Sequence, residues 1–302
     1  MTADEIREKK REFMARYGPW TAHCIHLGEG VYTFDVPQTD SKLRRFVQIA
    51  ADVTGKPLDA LRVLDLACLE GHYGIEFALH GAQVLAIEGR ETNLAKARFA
   101  KEMLSLDRLE LALEDVRHLD VQRHGRFDVV LCLGILYHLD TPDAMDFVES
   151  LSRVCTRVAI IDTHISLSDD ASFAWKDKTY WGAYSKEHDD DATPEQKLAS
   201  LWYSLDNPRS FKLTRASLCN LLRHVGFTSV YECMNPYEYH YPNWPHAAAG
   251  DSTVVWKDRL TLVAIKGQEQ RLLSSPVTDG LPEIDRPERP EDMQGGRSRP
   301  TQ

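Results

Sequence analysis

The chain has 302 residues, 43% hydrophobic and 27% charged, the balance of an ordinary globular protein rather than a collagen-like, coiled-coil or wholly disordered one. At roughly 150 residues per domain, this length makes one large or two small domains. The formal net charge of −10 repels phosphate backbones on average, so nucleic acid is the less expected partner.

Residues 1–13 (MTADEIREKKREF) are charged throughout and have no apolar core of the secretory kind, so the expected location is cytoplasmic. Helix formers with sparse apolar positions (Ile6, Phe13, Met14, Tyr17) predict a helix over 3–17. Residues 18–39 mix Gly, Pro and aromatics without a period, an irregular segment. From Asp40 or Ser41 as a cap, Leu43, Phe46, Val47, Ile49 and Ala50 form one face of a second helix, which stops at Gly55-Lys56-Pro57.

Short apolar runs then alternate with helical stretches. The runs start at Leu61, Gln83, Arg108, Phe127 and Arg157, and helices are predicted over 72–80, 91–104 and 142–154. Near-continuous apolar strands separated by helices make a parallel sheet covered on both faces. The longest apolar run, 127–139, is a strand plus loop and too short to cross a membrane, which takes about 20 residues. Residues 165–208 break the alternation with an aromatic and acidic insertion. A helix from Arg215 ended by Gly226, a strand from Phe227, a loop rich in Pro, His, Tyr and Trp, and a last strand from Arg259 follow. No helix separates these two strands, so they are expected to pair antiparallel. The fold class is α/β: a doubly wound, mostly parallel seven-stranded sheet with an antiparallel last strand, an N-terminal helical segment and an insertion after strand five. Residues 268–302, with five prolines and no aromatic, are expected to be a disordered tail dispensable for folding. The six cysteines are scattered singly and read as reduced thiols. His23-Cys24-x-His26 has no second ligand pair at zinc-like spacing, so no metal is expected.

The most informative stretch is 63–78, VLDLACLEGHYGIEFA. An apolar strand reaches Asp65 and passes through a tight turn into a helix near His72. Ligands bind at such carboxyl ends of parallel strands, and the helix start offers N–H groups to an anionic part. The next run ends on Glu88, a carboxylate suited to the two hydroxyls of a ribose. The third is followed by Glu114-Asp115, placed for an adenine amino group. Three acids at three successive strand ends outline an adenosine-bearing ligand.

This ordered set resembles the class I S-adenosylmethionine-dependent methyltransferases over residues 60–165, and the closing antiparallel pair fits the same family. The resemblance implies a Rossmann-like methyltransferase fold, S-adenosyl-L-methionine as cofactor, and cofactor-binding roles for Asp65, Ala67, Gly71, Glu88, Asp115 and Leu133. It divides the chain into a helical or lid segment (1–59), a methyltransferase domain (60–267, with the insertion 165–208) and the tail. Ala67 and Leu69 stand where the family's D-x-G-x-G-x-G pattern has glycine, and Leu69 is expected to need a backbone outside the left-handed region or a reshaped turn. A nicotinamide site would want G-x-G-x-x-G, which Leu69 interrupts. Residues 133–142 (LGILYHLDTP), 26–33 and 211–227 are similar to the subfamily containing the tRNA wobble-uridine carboxymethyltransferase, whose G-x-L-Y-H string is matched by Gly134 to His138. That enzyme uses a carboxylated S-adenosylmethionine.

Tyr137 and His138 follow the fourth strand, beside the expected methyl group. His138 either takes a proton from an attacking hydroxyl, amine or carbon acid, or packs against the cofactor. Asp162 and His164 close the fifth strand at the same edge and are the other catalytic candidates; an acceptor that is already nucleophilic needs no base. The insertion's aromatics either roof the pocket, with Tyr180 and Trp181 joining Tyr137 on the substrate, or form a small core of their own. Residues 20–33 are either a lid or a brace. Residues 187–191 (EHDDD) and the basic runs Arg7–Lys10 and Lys42–Arg45 read as solvated. The leading expectation is an enzyme methylating a small molecule, away from membranes. A tRNA-modifying transferase and a non-catalytic cofactor-binding domain are the alternatives.

Overall fold

The computed structural model describes residues 1–36, 41–233 and 258–268. The expected tail beyond Gln268, the aromatic loop before the last strand and the Asp40 cap lie outside the described residues. Helix α1 (Ala3–Tyr17) begins with a capping box: Thr2 Oγ1 accepts from Glu5 N while the Glu5 carboxylate accepts from Thr2 N. A short ribbon of β1 (His26–Gly28) and β2 (Val31–Tyr32) follows, then α2 (Ser41–Thr54), whose Phe46 and Ala50 are fully buried.

The alternating region folds in the predicted order as β3 (Arg62–Leu66), α3 (His72–Leu79), β4 (Gln83–Glu88), α4 (Glu91–Met103), β5 (Leu109–Leu113), α5 (Val121–His124), β6 (Phe127–Leu133), α6 (Asp143–Val154) and β7 (Cys155–His164). The insertion forms β8 (Ala171–Trp175), β9 (Lys178–Lys186), α7 (Pro194–Ala199) and β10 (Arg209–Leu213). Helix α8 (Arg215–His224) and strands β11 (Ser229–Cys233) and β12 (Arg259–Ile265) complete the chain. The seven-stranded sheet has the order β11-β12-β7-β6-β3-β4-β5. Strands β3 to β7 pair in parallel, and β12 lies antiparallel to both β7 and β11. The register sets Leu133 beside Asp162 and Glu88 beside Leu113, so the strand-end acids reach one edge.

Neighbouring residues of one strand point to opposite faces. Leu64, Leu66 and Val130 therefore join Phe147 and Leu222 in one core, while Val63, Val84 and Val129 join Phe46, Phe77 and Phe99 in the other. Burial on both faces is why these strands read as continuous apolar runs. The insertion has no core of its own. Trp175, Tyr180, Phe211 and Leu213 belong to the core of α6 and α8, and Trp175 Nε1 donates to Asp146 at 2.8 Å. Its three antiparallel strands run on to Leu213, past the expected limit at 208. Among the described residues no helix is long and apolar enough to cross a membrane.

Candidate active site at the carboxyl edge of the sheet

The turn between β3 and α3 keeps the backbone of a glycine-rich loop with few of its glycines. Ala67, Leu69 and Gly71 have φ of 53°, 53° and 88°. Leu69 thus occupies the left-handed region, against the expectation that its side chain would exclude it. Asp65 is buried, and its Oδ2 accepts from Gly74 N at 2.8 Å, fixing the start of α3. Burial pushes the Asp65 carboxyl up to about 7 against that hydrogen bond, and the charge of Glu88 adds to the rise. Gly71 is required on space as well: a Cβ there would lie 2.8 Å from Ala97 Cβ on α4.

Glu88 ends β4 and ties the second strand to this turn. Its Oε2 accepts from Leu69 N and its Oε1 from Arg90 N, each at 2.9 Å, and Asn93 Nδ2 reaches Oε1 at 3.4 Å. Burial raises its pKa in spite of these donors. The Oδ1 atom of Asn93 is buried with no hydrogen-bond partner among the described residues. Asp115, after β5, caps the following turn through Arg117 N and holds the Arg117 guanidinium at 2.5 and 2.9 Å. Burial would raise its pKa, but the hydrogen bonds to Arg117 keep it below the usual carboxylate value.

Glu70, within the same turn, anchors the N-terminal segment. It is fully buried and accepts from the backbone N–H groups of Thr21, Ala22 and His23 at 2.7, 3.1 and 2.9 Å, and from Lys96 Nζ at 3.1 Å. Residues 20–33 are thereby fastened across the β3–α3 turn, with the His23 ring stacked on His72. A stretch of the insertion, residues 187–207, crosses the same edge from the other side. Arg90, two residues past Glu88, sends its guanidinium to the carbonyls of Leu198, Ser200, Tyr203 and Ser204 at 2.8 to 3.1 Å. Leu205 covers Gly89 so closely that a Cβ there would meet its side chain at 2.6 Å. Asp206 reaches Arg117 at 2.9 Å.

At the ends of β6 and β7 the predicted catalytic residues separate into different roles. Leu133 and Gly134 close β6, the latter with φ 100° and its N–H on Asp162 O. Tyr137 and His138 follow in a short 3-10 turn with ring centroids 4.2 Å apart, and Tyr137 meets the His164 ring edge-on. His138 Nδ1 lies 2.8 Å from Glu187 Oε2. Asp162, expected as a possible base, is instead saturated: Arg259 Nε at 2.6 Å, Lys42 Nζ at 2.8 Å and Thr261 Oγ1 at 2.7 Å all donate to it. Burial alone would raise its pKa, but Arg259 and Lys42 hold it at about 2, where it accepts no proton near neutrality. His164 is engaged by Asp258 at 2.9 Å and by Arg259 at 3.4 Å.

The two insertion residues expected on the substrate lie on β9. Tyr180 is wholly buried in the main core, with its hydroxyl 2.5 Å from His224 Nδ1. Trp181 points to the opposite side of β9 and is half-buried, its backbone N–H on Ser217 Oγ. Sequence reasoning also missed Glu187 and Lys42, both placed in solvated runs. Glu187 is 6% exposed and Lys42 6% exposed, whereas Asp189, Asp190 and Asp191 are on the surface as read. A signal did exist, since Glu187 and His188 directly continue the alternating strand β9, while the Asp run comes after it.

Residues 63–157 match the family described as "Methyltransferase domain". Among curated relatives, a tRNA U34 carboxymethyltransferase of Desulfotalea psychrophila is 28% identical over 183 residues, covering 58% of this chain and 52% of that protein. A ubiquinone biosynthesis O-methyltransferase of Leptothrix cholodnii is 32% identical over 97 residues, 32% of this chain and 40% of that one. The chain thus spans about half, or less, of the length of these relatives. Among solved structures, the N-terminal domain of EvdMO1 with S-adenosylhomocysteine bound superposes with a TM-score of 0.64 at 23% identity, over 86% of this chain and 97% of that one. That likeness is one of fold. Residues 63–157 thus match a methyltransferase-domain model, and the chain shares its doubly wound α/β fold with that solved structure.

Proposed function

We propose that the chain binds S-adenosylmethionine at the carboxyl edge of β3, β4 and β5 and transfers its methyl group to a small-molecule acceptor in the cytoplasm. The observation that carries this reading is the buried Glu88, joined to the β3–α3 turn. A carboxylate offers about four acceptor positions; three are used within the protein, and beside them lies Asn93 Oδ1, which has no partner among the described residues. Two ribose hydroxyls therefore meet buried acceptors, which is what the residues must offer to fit this ligand. The fold and the match over 63–157 support the same reading, and six free cysteines suit a reducing compartment.

The ligand supplies a methyl group made electrophilic by a sulfonium, so the protein's work is to hold donor and acceptor aligned and dry. Glu88 and Asn93 hold the ribose, and Asp115 lies at the adenine end. The 20–33 and 187–207 segments cover the edge from two sides. His138, beside Tyr137, faces the acceptor. The relatives' names include O-methyltransferases acting in ubiquinone biosynthesis, which favours small acceptors. One observation favours a second reading, in which the cofactor is carboxylated and the acceptor is tRNA: Lys42 and Arg259 bring two positive charges to one buried carboxylate, Asp162, next to Tyr137.

Titration calorimetry with S-adenosylhomocysteine tests the site: Glu88→Ala should weaken binding by about 1–3 kcal/mol, the usual loss for polar groups left unpaired. Unchanged affinity would remove the assignment. Label from methyl-labelled S-adenosylmethionine appearing in fractionated metabolites supports the first reading, and label appearing in total RNA supports the second.

A further inference from the structure

Glu187 lies 49 residues from His138 in the chain, yet is built onto it. Its Oε2 accepts from His138 Nδ1 at 2.8 Å and from Ser204 N at 2.7 Å, and its Oε1 accepts from Ser210 Oγ at 2.7 Å. Three donors from three segments thus fix the orientation of one carboxylate. The His138 carbonyl is held in turn by Asn207 Nδ2 at 3.0 Å, and the adjoining Leu139 carbonyl by Phe211 N at 2.8 Å. Burial would raise the Glu187 pKa, but the bond to His138 and the two serine donors keep it below the usual carboxylate value, so it is ionised at neutral pH. An ionised carboxylate only accepts, so the proton of a neutral His138 sits on Nδ1. The other nitrogen, Nε2, has no hydrogen-bond partner among the described residues, and its lone pair is left for a substrate.

We propose that Glu187 is the positioning residue of a His138–Glu187 pair whose Nε2 deprotonates a hydroxyl acceptor, which makes the reaction an O-methylation of a non-acidic alcohol. The inference rests on the methyltransfer reading and narrows its acceptor class. An amine or thiolate attacks without such help, whereas an alcohol gains from losing its proton as it attacks. The hydroxyl proton passes to His138 Nε2 while the oxygen lone pair forms the bond to the methyl carbon. The sulfur keeps the electron pair of the broken C–S bond, and the imidazolium, stabilised by Glu187, returns the proton to solvent. Arg90 and Arg117 on neighbouring strand ends are occupied by insertion carbonyls and by Asp115 and Asp206, and the carboxylate that reaches the imidazole is Glu187.

The tautomer of His138 is directly measurable by histidine-selective nitrogen NMR, its signal assigned with H138N. In the wild type, with S-adenosylhomocysteine bound, Nδ1 should carry the proton. Glu187→Gln is nearly isosteric and should populate the Nε2–H form, because its amide can donate to Nδ1. S-adenosylhomocysteine affinity should be kept, while transfer to an alcohol-containing metabolite fraction falls about 10²–10⁴-fold in kcat with little change in KM. Glu187→Asp, which keeps the charge, should restore the Nδ1–H form and part of the rate. An Nε2–H tautomer in the wild type, or an unchanged tautomer and rate in Glu187→Gln, with S-adenosylhomocysteine still bound, overturns the pair alone. A chain that binds no S-adenosylhomocysteine overturns the methyltransfer reading as well.

Discussion

Ala67 and Leu69 hold a backbone that glycine adopts freely. A non-glycine residue in the left-handed region costs about 1–2 kcal/mol, and both have φ of 53°. Replacing them with glycine relieves that strain but gives back about 0.4–1 kcal/mol through the freer unfolded chain. Ala67→Gly and Leu69→Gly should therefore each be neutral to stabilising by up to about 1.6 kcal/mol in urea denaturation. A loss of stability at Leu69 would show that its half-buried side chain contributes more than the strain costs. Gly71→Ala is the opposite case, with a new Cβ 2.8 Å from Ala97, and should destabilise. At this scale the placement of Asp65, Glu88 and Asp115 at one sheet edge was legible because each lies at or just past the end of an apolar run, and the strand order brings those ends together. Lys42 and Glu187 were not. A charged residue in a charged run reads as solvated, and only the tertiary fold sets Lys42 against Asp162 and Glu187 against His138.

The elements of the alternating region were legible almost in full, since doubly buried strands leave apolar runs that amphipathic helices interrupt. The insertion was legible only as an interruption. Its aromatics gave no sign that Tyr180 and Trp175 enter the main core while residues 187–207 cross the site. Arg90 ties that stretch to β4, its guanidinium donating to four of its carbonyls, while Glu187 holds Ser204 N and Arg117 holds Asp206. Without it those carbonyls lose their guanidinium donor, and segments with few protected hydrogen bonds open at low free energy. Arg90→Met keeps much of the apolar stem and removes the donors. In hydrogen exchange the variant should show faster exchange over 197–206 than the wild type, with β3, β6 and β7 unchanged, and weaker S-adenosylhomocysteine binding. Unchanged exchange over 197–206 would show that Leu205 on Gly89 and Asp206 on Arg117 hold the segment without Arg90.

Across the whole molecule the buried acids give stability a shape against pH. Asp162 titrates at about 2 in the folded chain, below its ordinary 3.8. Between those values the unfolded chain binds the extra proton, so stability rises as pH climbs toward 4. Asp65 does the reverse: its folded value is about 7. From pH 4 to 7 the folded chain keeps a proton that the unfolded chain has lost, so stability falls through that window and levels off above it. Glu88, also raised by burial, adds to the same fall. The turn that receives the ligand is thus where the fold is least content at neutral pH, because two carboxylates converge there with backbone N–H groups as donors. Asp65→Asn keeps an acceptor for Gly74 N and removes the charge. Its stability, measured by urea denaturation at steps from pH 4 to 8, should decline less than that of the wild type and exceed it most clearly above pH 7. The residual slope belongs to Glu88. A wild type whose stability rises from pH 4 to 7, or a variant with the same slope, would mean that Asp65 stays ionised in the folded chain and that the Gly74 N–H outweighs burial.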